Sequence, residues 1–409
     1  MELFDKVEKF TIAKEAMKAG IYPYFQPLAG SEGSTATFRG REVIMLGSNN
    51  YLGLTTHPKV RAAAQRGIEE YGTSCTGSRF LNGTLQFHLE LDKRLAEFVG
   101  AEAAIVFPTG YQTNLGTISS LVGKGDYVIL DKDSHACIVD GALLSRGELR
   151  RFIHNDMDSL RAVLAKLPHD AGKLVVFDGV YSMSGDIAPL PEIVEICREY
   201  NARVMVDDAH SLGVLGGGRG TAAHYGMTMD DVDLVMGTFS KSFASIGGFV
   251  AGKADVIHYI QHNARSLIFS ASLPAANAMT VLAALDIIEN EPEHVQRVLD
   301  NADFMREGLR ALGFNIGPSQ TPIIPVIIGD DAIRTGLAWR ALVDNGVYTN
   351  PVVPPAVPPS MTLLRTSYMA THTREHLQQA LAIFETVGEN LDLIPPKAER
   401  ERSKNTVSA

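Results

Sequence analysis

Cysteine is scarce in this 409-residue chain: only Cys75, Cys137 and Cys197 occur, far apart in sequence. Their spacing forms neither a zinc motif nor a disulfide framework, which excludes a stapled secreted module and points to a reducing cytoplasm. Long apolar runs are missing too. No stretch reaches the roughly 18 residues of a membrane span. Residues 1–20 alternate charged and apolar side chains like an amphipathic helix, without the apolar centre of a signal peptide. Peripheral contact with an inner membrane is the one membrane role left open. Basic clusters are also lacking. The net charge is -10 with Lys and Arg scattered, so nucleic acid is excluded as a partner.

What is present is the pattern of a large α/β protein. A hydrophobic content of 45% over 409 residues suits one large domain and a smaller one. Short apolar runs alternate with helical stretches at Ala104-Ile-Val-Phe107, Tyr127-Val-Ile-Leu130, Leu174-Val-Val-Phe177, Arg203-Val-Met-Val206, Leu234-Val-Met236 and Gly248-Phe-Val-Ala251. Runs apolar on both faces predict a mostly parallel sheet covered on both sides, with ligands at the carboxyl ends of its strands. The expected organisation is an N-terminal arm (1–45), a large domain (46–272), and a smaller α+β C-terminal domain (273–394) entered through a long connecting helix. A disordered tail is expected at 395–409, and no internal repeat is found.

Several residues in this frame carry chemistry. Lys241 lies in the hydroxyl-rich stretch Gly237-Thr-Phe-Ser-Lys241-Ser, directly after an apolar run. A lysine that is desolvated loses its proton more readily and can form Schiff bases; a surface lysine beside a turn is the plain alternative. Asp207, in Val206-Asp-Asp-Ala-His210, ends a strand and points to the crevice, where it could hold a heterocyclic nitrogen in its protonated form, with His210 converging on it. A carboxylate capping the next turn is the alternative. Thr109-Gly110-Tyr111-Gln112-Thr113-Asn114 joins a strand to a helix whose N–H groups suit a phosphate, and Thr238 and Ser240 add hydroxyls. His135 follows another core strand and could stack on a flat ring, or serve as a core or capping histidine. Arg365, a lone cation in an apolar strand, suits a carboxylate or an internal ion pair. Residues 213–220 are glycine-rich but open no obvious helix, and they read as a flexible loop rather than a dinucleotide fingerprint. A Schiff-base lysine, a strand-end Asp, a stackable His and a phosphate cradle together describe a pyridoxal phosphate site.

The ordered motifs Asn50-Tyr-Leu-Gly-Leu54, Gly77-Ser-Arg79, Thr109-Gly-Tyr111, Ser134-His-Ala136, Ser182-Met-Ser-Gly185, Val206-Asp-Asp-Ala-His-Ser211, Gly237-Thr-Phe-Ser-Lys241, Phe269-Ser-Ala-Ser-Leu273 and Ala370-Thr-His-Thr373 span nearly the whole chain. In this the chain resembles the α-oxoamine synthases, fold-type I pyridoxal phosphate transferases that join an amino acid to an acyl-CoA with loss of carbon dioxide. Phe239 and Ser242, and the Pro-rich run at 350–359, resemble the branch that takes L-serine and a long-chain acyl-CoA rather than glycine or alanine. The resemblance implies a homodimer with shared active sites. It makes Lys241 the Schiff-base lysine and proton acceptor. Asp207 would hold the pyridine nitrogen, and His210 with Ser182 the ring oxygen. His135 would stack on the ring and hold the serine carboxylate. Gly110, Tyr111, Thr238 and Ser240 would bind the phosphate, joined by Ser270 and Ala271 from a partner subunit. Arg365, Asn50 and Ser78 would meet the substrate. Two departures stand out: Asp208 where many relatives have Glu, and Ser184 where an acidic residue is usual.

Overall fold

The apolar runs between 103 and 252 pair into one seven-stranded sheet: β1 (Ala103–Phe107), β2 (Tyr127–Asp131), β3 (Glu148–Phe152), β4 (Lys173–Asp178), β5 (Arg203–Asp207), β6 (Leu234–Thr238) and β7 (Gly248–Gly252). The order is β1-β7-β6-β5-β4-β2-β3, with β7 antiparallel to both neighbours and the remaining pairs parallel. Successive residues enter opposite layers, as the period of two in a strand demands. Leu174, Val176, Met205 and Leu234 pack into one core, whereas Val175, Phe177, Val204 and Val235 pack into the other. The computed structural model describes residues 2–31 and 33–400, so residues 401–409 of the expected tail lie outside the described residues. Among the described residues no helix is long and apolar enough to cross a membrane.

Strand β3 was not expected from the sequence. Its text, Glu148-Leu-Arg-Arg-Phe152, is charged because it forms the sheet edge, where charges keep unpaired backbone from recruiting another strand.

The sheet belongs to a unit formed by Asn49–Leu299; Met1–Ser48 and Asp300–Ala409 form the other. The helix Ala275–Asn290, expected to lead into the C-terminal domain, lies in the sheet unit against the helix Pro58–Tyr71. The two approach so closely that a Cβ on Gly67 would stand 2.8 Å from the Ala275 carbonyl oxygen. The second unit holds the antiparallel strands Ile323–Gly329, Thr362–Ser367 and Asn350–Val352. It also holds a four-stranded sheet that joins Leu28–Ser31, Thr35–Phe38 and Arg41–Met45 to Val347–Tyr348. Its core is built on Trp339, Tyr368, Phe38 and Phe384.

Aromatic anchors hold the turn after β6. Phe239 and Phe243 are fully buried; Phe239 stacks on Phe249 at 5.9 Å, and Phe243 meets Phe98 edge-on at 6.1 Å. The Phe239 N–H donates to the Gly247 carbonyl (2.9 Å) and the Ser245 N–H to the Phe239 carbonyl (2.8 Å), which closes a loop around Lys241. Ser242 is buried against Gly213, where a Cβ would lie 2.3 Å from the Ser242 Cβ and φ is +76°. Residues 213–220 are therefore a packed turn and not the flexible loop expected. The Gly213 N–H donates to the Gly218 carbonyl at 2.8 Å, and Leu212 bridges Arg219.

Two buried histidines are structural. His88 accepts from the Leu85 N–H at Nδ1 (3.0 Å) and donates from Nε2 to the Leu273 carbonyl (2.8 Å); His372 does likewise with the Met369 N–H (2.9 Å) and the Met45 carbonyl (3.2 Å). Burial pushes both imidazoles down to about 4. A depressed value means that the unfolded chain takes up the proton first. Their contribution is complete above the ordinary histidine value and is lost as pH falls through about 4. Urea unfolding between about pH 6.5 and 4 should show stability falling by about 1.4 kcal/mol per pH unit for each imidazole, and less steeply in His88→Gln. Phe239→Ala should cost about 3–5 kcal/mol in the same assay.

Candidate active site

Three parallel strands of the sheet end in a carboxylate: β2 in Asp131, β4 in Asp178 and β5 in Asp207. Asp178 and Asp207 are register partners, both buried. A cavity of about 320 Å³ opens at these strand ends, the position where open α/β sheets bind ligands. It brings together eight of the residues singled out in the sequence: Gly110, Tyr111, His135, Asp207, His210, Thr238, Ser240 and Lys241. A larger cavity, about 460 Å³, lies at the other end of the strands. Two of its cations are already engaged, Lys173 by the carbonyls of Pro168, His169 and Ala171, and Arg203 by Asp233.

Asp207 forms the floor. Its Oδ2 accepts from Asn114 Nδ2 at 2.6 Å and its Oδ1 from the Ala209 N–H at 2.9 Å. Burial, then the neighbouring Asp207 charge, pushes Asp178 well above the carboxylate range, although the His135 N–H donates to its Oδ2 at 3.0 Å. Asp208, next in sequence, points away to the Thr221 hydroxyl (2.5 Å) and N–H (3.1 Å), and burial lifts it to about 6. Asp208 is thus a buried structural carboxylate behind the site.

His135 forms one wall. Burial lowers its pKa, and the Lys241 charge lowers it further against the opposing pull of Asp207. Its Nδ1 accepts from the Cys137 N–H (3.2 Å) and lies 2.8 Å from the Cys137 sulfur, which puts the neutral ring's proton on Nε2. The Cys137 sulfur also accepts from Asn114 Nδ2 at 3.0 Å, and burial pushes the thiol far up. His210 meets the Tyr51 hydroxyl at Nδ1, 2.6 Å away.

At the opposite corner the helix Gly110–Leu121 begins. Thr109 caps it, accepting from the Gln112 N–H at 3.1 Å, and the first-turn N–H groups of Gly110 and Tyr111 have no partner within the helix. Gly110 must lack a side chain, because a Cβ would stand 2.5 Å from Thr238 Oγ1. Thr238 Oγ1 is 3.1 Å from Ser240 Oγ. The Tyr111 hydroxyl is spent on Asp140, a bond that raises the phenol to about 12, so Tyr111 offers the corner its backbone N–H.

The other expected residues do not line this cavity. Ser182 sits in the turn after β4, half-buried. Ser270 accepts from Gln112 Nε2 at 2.9 Å and Ala271 is exposed. Asn50 donates to Thr55 at 2.8 Å, and the Ser78 hydroxyl is buried with no hydrogen-bond partner among the described residues. Arg365 is buried on the strand Thr362–Ser367 of the second unit. Asp178, Cys137, Asn114 and Tyr51 were not picked out from the sequence. Asp178 had a usable signal, since it ends an apolar run as Asp207 does.

The family model of aminotransferase class I and II matches residues 41–384. The chain belongs to this family. It is 49% identical to a serine palmitoyltransferase of Sphingobacterium spiritivorum over 93% of this chain and 95% of the relative. It is 43% identical to an 8-amino-7-oxononanoate synthase of Geobacter metallireducens over 95% of this chain and 100% of the relative. A solved serine palmitoyltransferase variant of S. paucimobilis with a bound PLP–myriocin aldimine superposes with a TM-score of 0.93 at 38% identity, covering 96% of this chain and 100% of that one. The α-oxoamine synthase resemblance and the fold-type I expectation are both borne out.

Asn114 touches both the floor and the thiol behind the wall, so Asn114→Leu leaves two buried groups short of a donor. Chemical denaturation should show a loss of about 1–3 kcal/mol.

Proposed function

We propose that the chain is a pyridoxal phosphate enzyme with serine palmitoyltransferase activity, which converts L-serine and palmitoyl-CoA to 3-oxosphinganine, CoA and carbon dioxide. The observation that carries this reading is the grouping of Lys241, Asp207, His135 and the Gly110 corner around one cavity. The similarity to serine palmitoyltransferases along nearly the whole chain supports the choice of substrate.

The residues present fit the cofactor. A corner made of two helix N–H groups, two hydroxyls and a glycine that cannot carry a Cβ suits a phosphate, and the buried Asp207 carboxylate lines the same cavity. When bound, pyridoxal phosphate supplies an electron sink for a carbanion at the amino acid Cα.

Each side chain then has a task. Gly110, Tyr111, Thr238 and Ser240 hold the phosphate. Asp207, oriented by Asn114 and the Ala209 N–H, keeps the pyridine nitrogen protonated. His210, steadied by Tyr51, and Ser182 hold the ring oxygen. His135 closes one face and offers its Nε2–H to the serine carboxylate, which turns the Cα–H bond toward Lys241. The amine of Lys241 takes that proton. Arg365 binds the carboxylate after a conformational change, and Asn50 and Ser78 complete the substrate side. A homodimer in the cytoplasm, with Ser270 and Ala271 of the second copy reaching the phosphate, and peripheral contact with the inner membrane complete the reading.

Purified protein incubated with L-serine and palmitoyl-CoA should yield a long-chain 3-oxoamine. Turnover confined to glycine or alanine with a short thioester would move the reading to the 8-amino-7-oxononanoate synthase type. Lys241→Ala should lose the visible absorbance of the lysine-bound cofactor and lower kcat roughly 10²–10⁴-fold.

A further inference from the structure

His154 follows the edge strand β3, and both its ring nitrogens meet carboxylates. Nδ1 lies 3.1 Å from Asp131 Oδ1 and Nε2 3.0 Å from Asp186 Oδ2. Carboxylate oxygens only accept, so both nitrogens donate and the ring is an imidazolium. Burial alone would lower its pKa, but the hydrogen bonds and charges of Asp131 and Asp186 outweigh burial and raise it to about 10. The other titratable group against the ring is Tyr181, edge-on at 4.3 Å, whose phenol burial pushes well above its ordinary value.

Each carboxylate organises a turn of the active site. Asp131 ends β2 and starts the turn that leads to His135. Its Oδ1 also accepts from the Asp133 N–H (2.8 Å), and its carbonyl accepts from the Ser134 N–H (3.2 Å). Asp186 closes the turn carrying Ser182. Its carbonyl accepts from the Tyr181 N–H (3.1 Å), and its side chain accepts from the Ser184 hydroxyl. Asn155 repeats the bridge, with its N–H on Asp131 Oδ2 (3.0 Å) and its Nδ2 on Asp186 Oδ2 (2.9 Å). It does so in a left-handed conformation, φ 50°, which Asn tolerates. The Ser184 hydroxyl donates to Asp186, whereas an acidic side chain there would repel it.

We propose that His154 is a positioning residue of the active site: its imidazolium staples the turn bearing His135 to the turn bearing Ser182, and so sets where the His135 ring stands above Asp207. This rests on the reading of the cavity as a pyridoxal phosphate site. His154 itself touches no reacting atom.

The test compares wild-type protein, His154→Gln, which removes the charge, and His154→Lys, which keeps it, all loaded with pyridoxal phosphate. Melting curves establish folding. L-Serine affinity is read from the absorbance of the bound cofactor, and active-site geometry from its induced circular dichroism. His154→Gln should bind the cofactor itself nearly as wild type does, yet bind L-serine roughly tenfold more weakly, with reduced dichroism, as expected for a displaced orienting group. His154→Lys should recover most of both signals. A folded His154→Gln with wild-type serine affinity and dichroism overturns the proposal, as does a Lys variant no better than Gln. Should the Gln variant fail to fold, the Lys variant decides alone: wild-type signals support the staple and their loss overturns it. No thioester enters these measurements. A wild-type protein that binds serine without condensing it would overturn the proposed activity and leave the staple standing, whereas one that takes no pyridoxal phosphate would overturn both.

Discussion

The active site depends on a single constraint, the burial of carboxylates at the carboxyl ends of a sheet that is apolar on both faces. Asp131, Asp178 and Asp207 end three parallel strands and are all buried. A carboxylate withdrawn from water must be met by donors or become neutral. Each is met differently. Asp131 is answered by His154 and by backbone N–H groups, Asp207 by Asn114 and the Ala209 N–H, and Asp178 by the His135 N–H together with a strong upward push on its own proton affinity. Two of these donors, the N–H groups of His135 and Ala209, lie on the turns that carry His135 and His210 themselves. Satisfying the carboxylates and placing His135 are therefore one structural task.

The same logic separates what is fixed from what can move around Lys241. Its turn is tied down on either side by Phe239 and Phe243, and Ser242 fills the space beside Gly213. A rigid backbone leaves the lysine side chain's rotatable bonds as the local freedom, as suits the proposed role of an amine that holds a cofactor and then takes up a proton. In sequence, Phe239 resembles a mark of substrate class. The structure gives it a mechanical role in the aromatic layer beneath the turn.

Legibility followed burial. Six strands could be read because their runs are apolar on both faces, and Asp207, His135 and Lys241 could be read because they end such runs or stand within a few residues of their ends. Strand β3 was hidden by the charges that an edge requires. The helix Ala275–Asn290 was legible as a helix, but its assignment was not, because only the close approach to Gly67 shows which unit it packs on. Asn114 and Cys137 were silent for another reason. Their importance lies in contacts rather than residue type: Asn114 reaches Asp207 across 93 positions of sequence, and nothing local announces it. Ser182, which the motif brought into the site, stands in the turn beside the cavity rather than on its wall.

Cys137 completes the chain of dependence. It lines the cavity and would be a rival nucleophile if ionised, since the thiolate is the reactive form. Burial and the nearby Asp207 charge push its proton affinity far up, so sulfur remains a thiol and acts through hydrogen bonds. It accepts from Asn114 and lies against His135 Nδ1, so the side chain that orients the floor also backs the wall. With Nδ1 occupied on that side, the ring proton of neutral His135 stands on Nε2, where it can donate. The field of Asp207 thus does two things at once: it faces the ring of the proposed cofactor, and it keeps the neighbouring sulfur protonated and out of the chemistry assigned to Lys241.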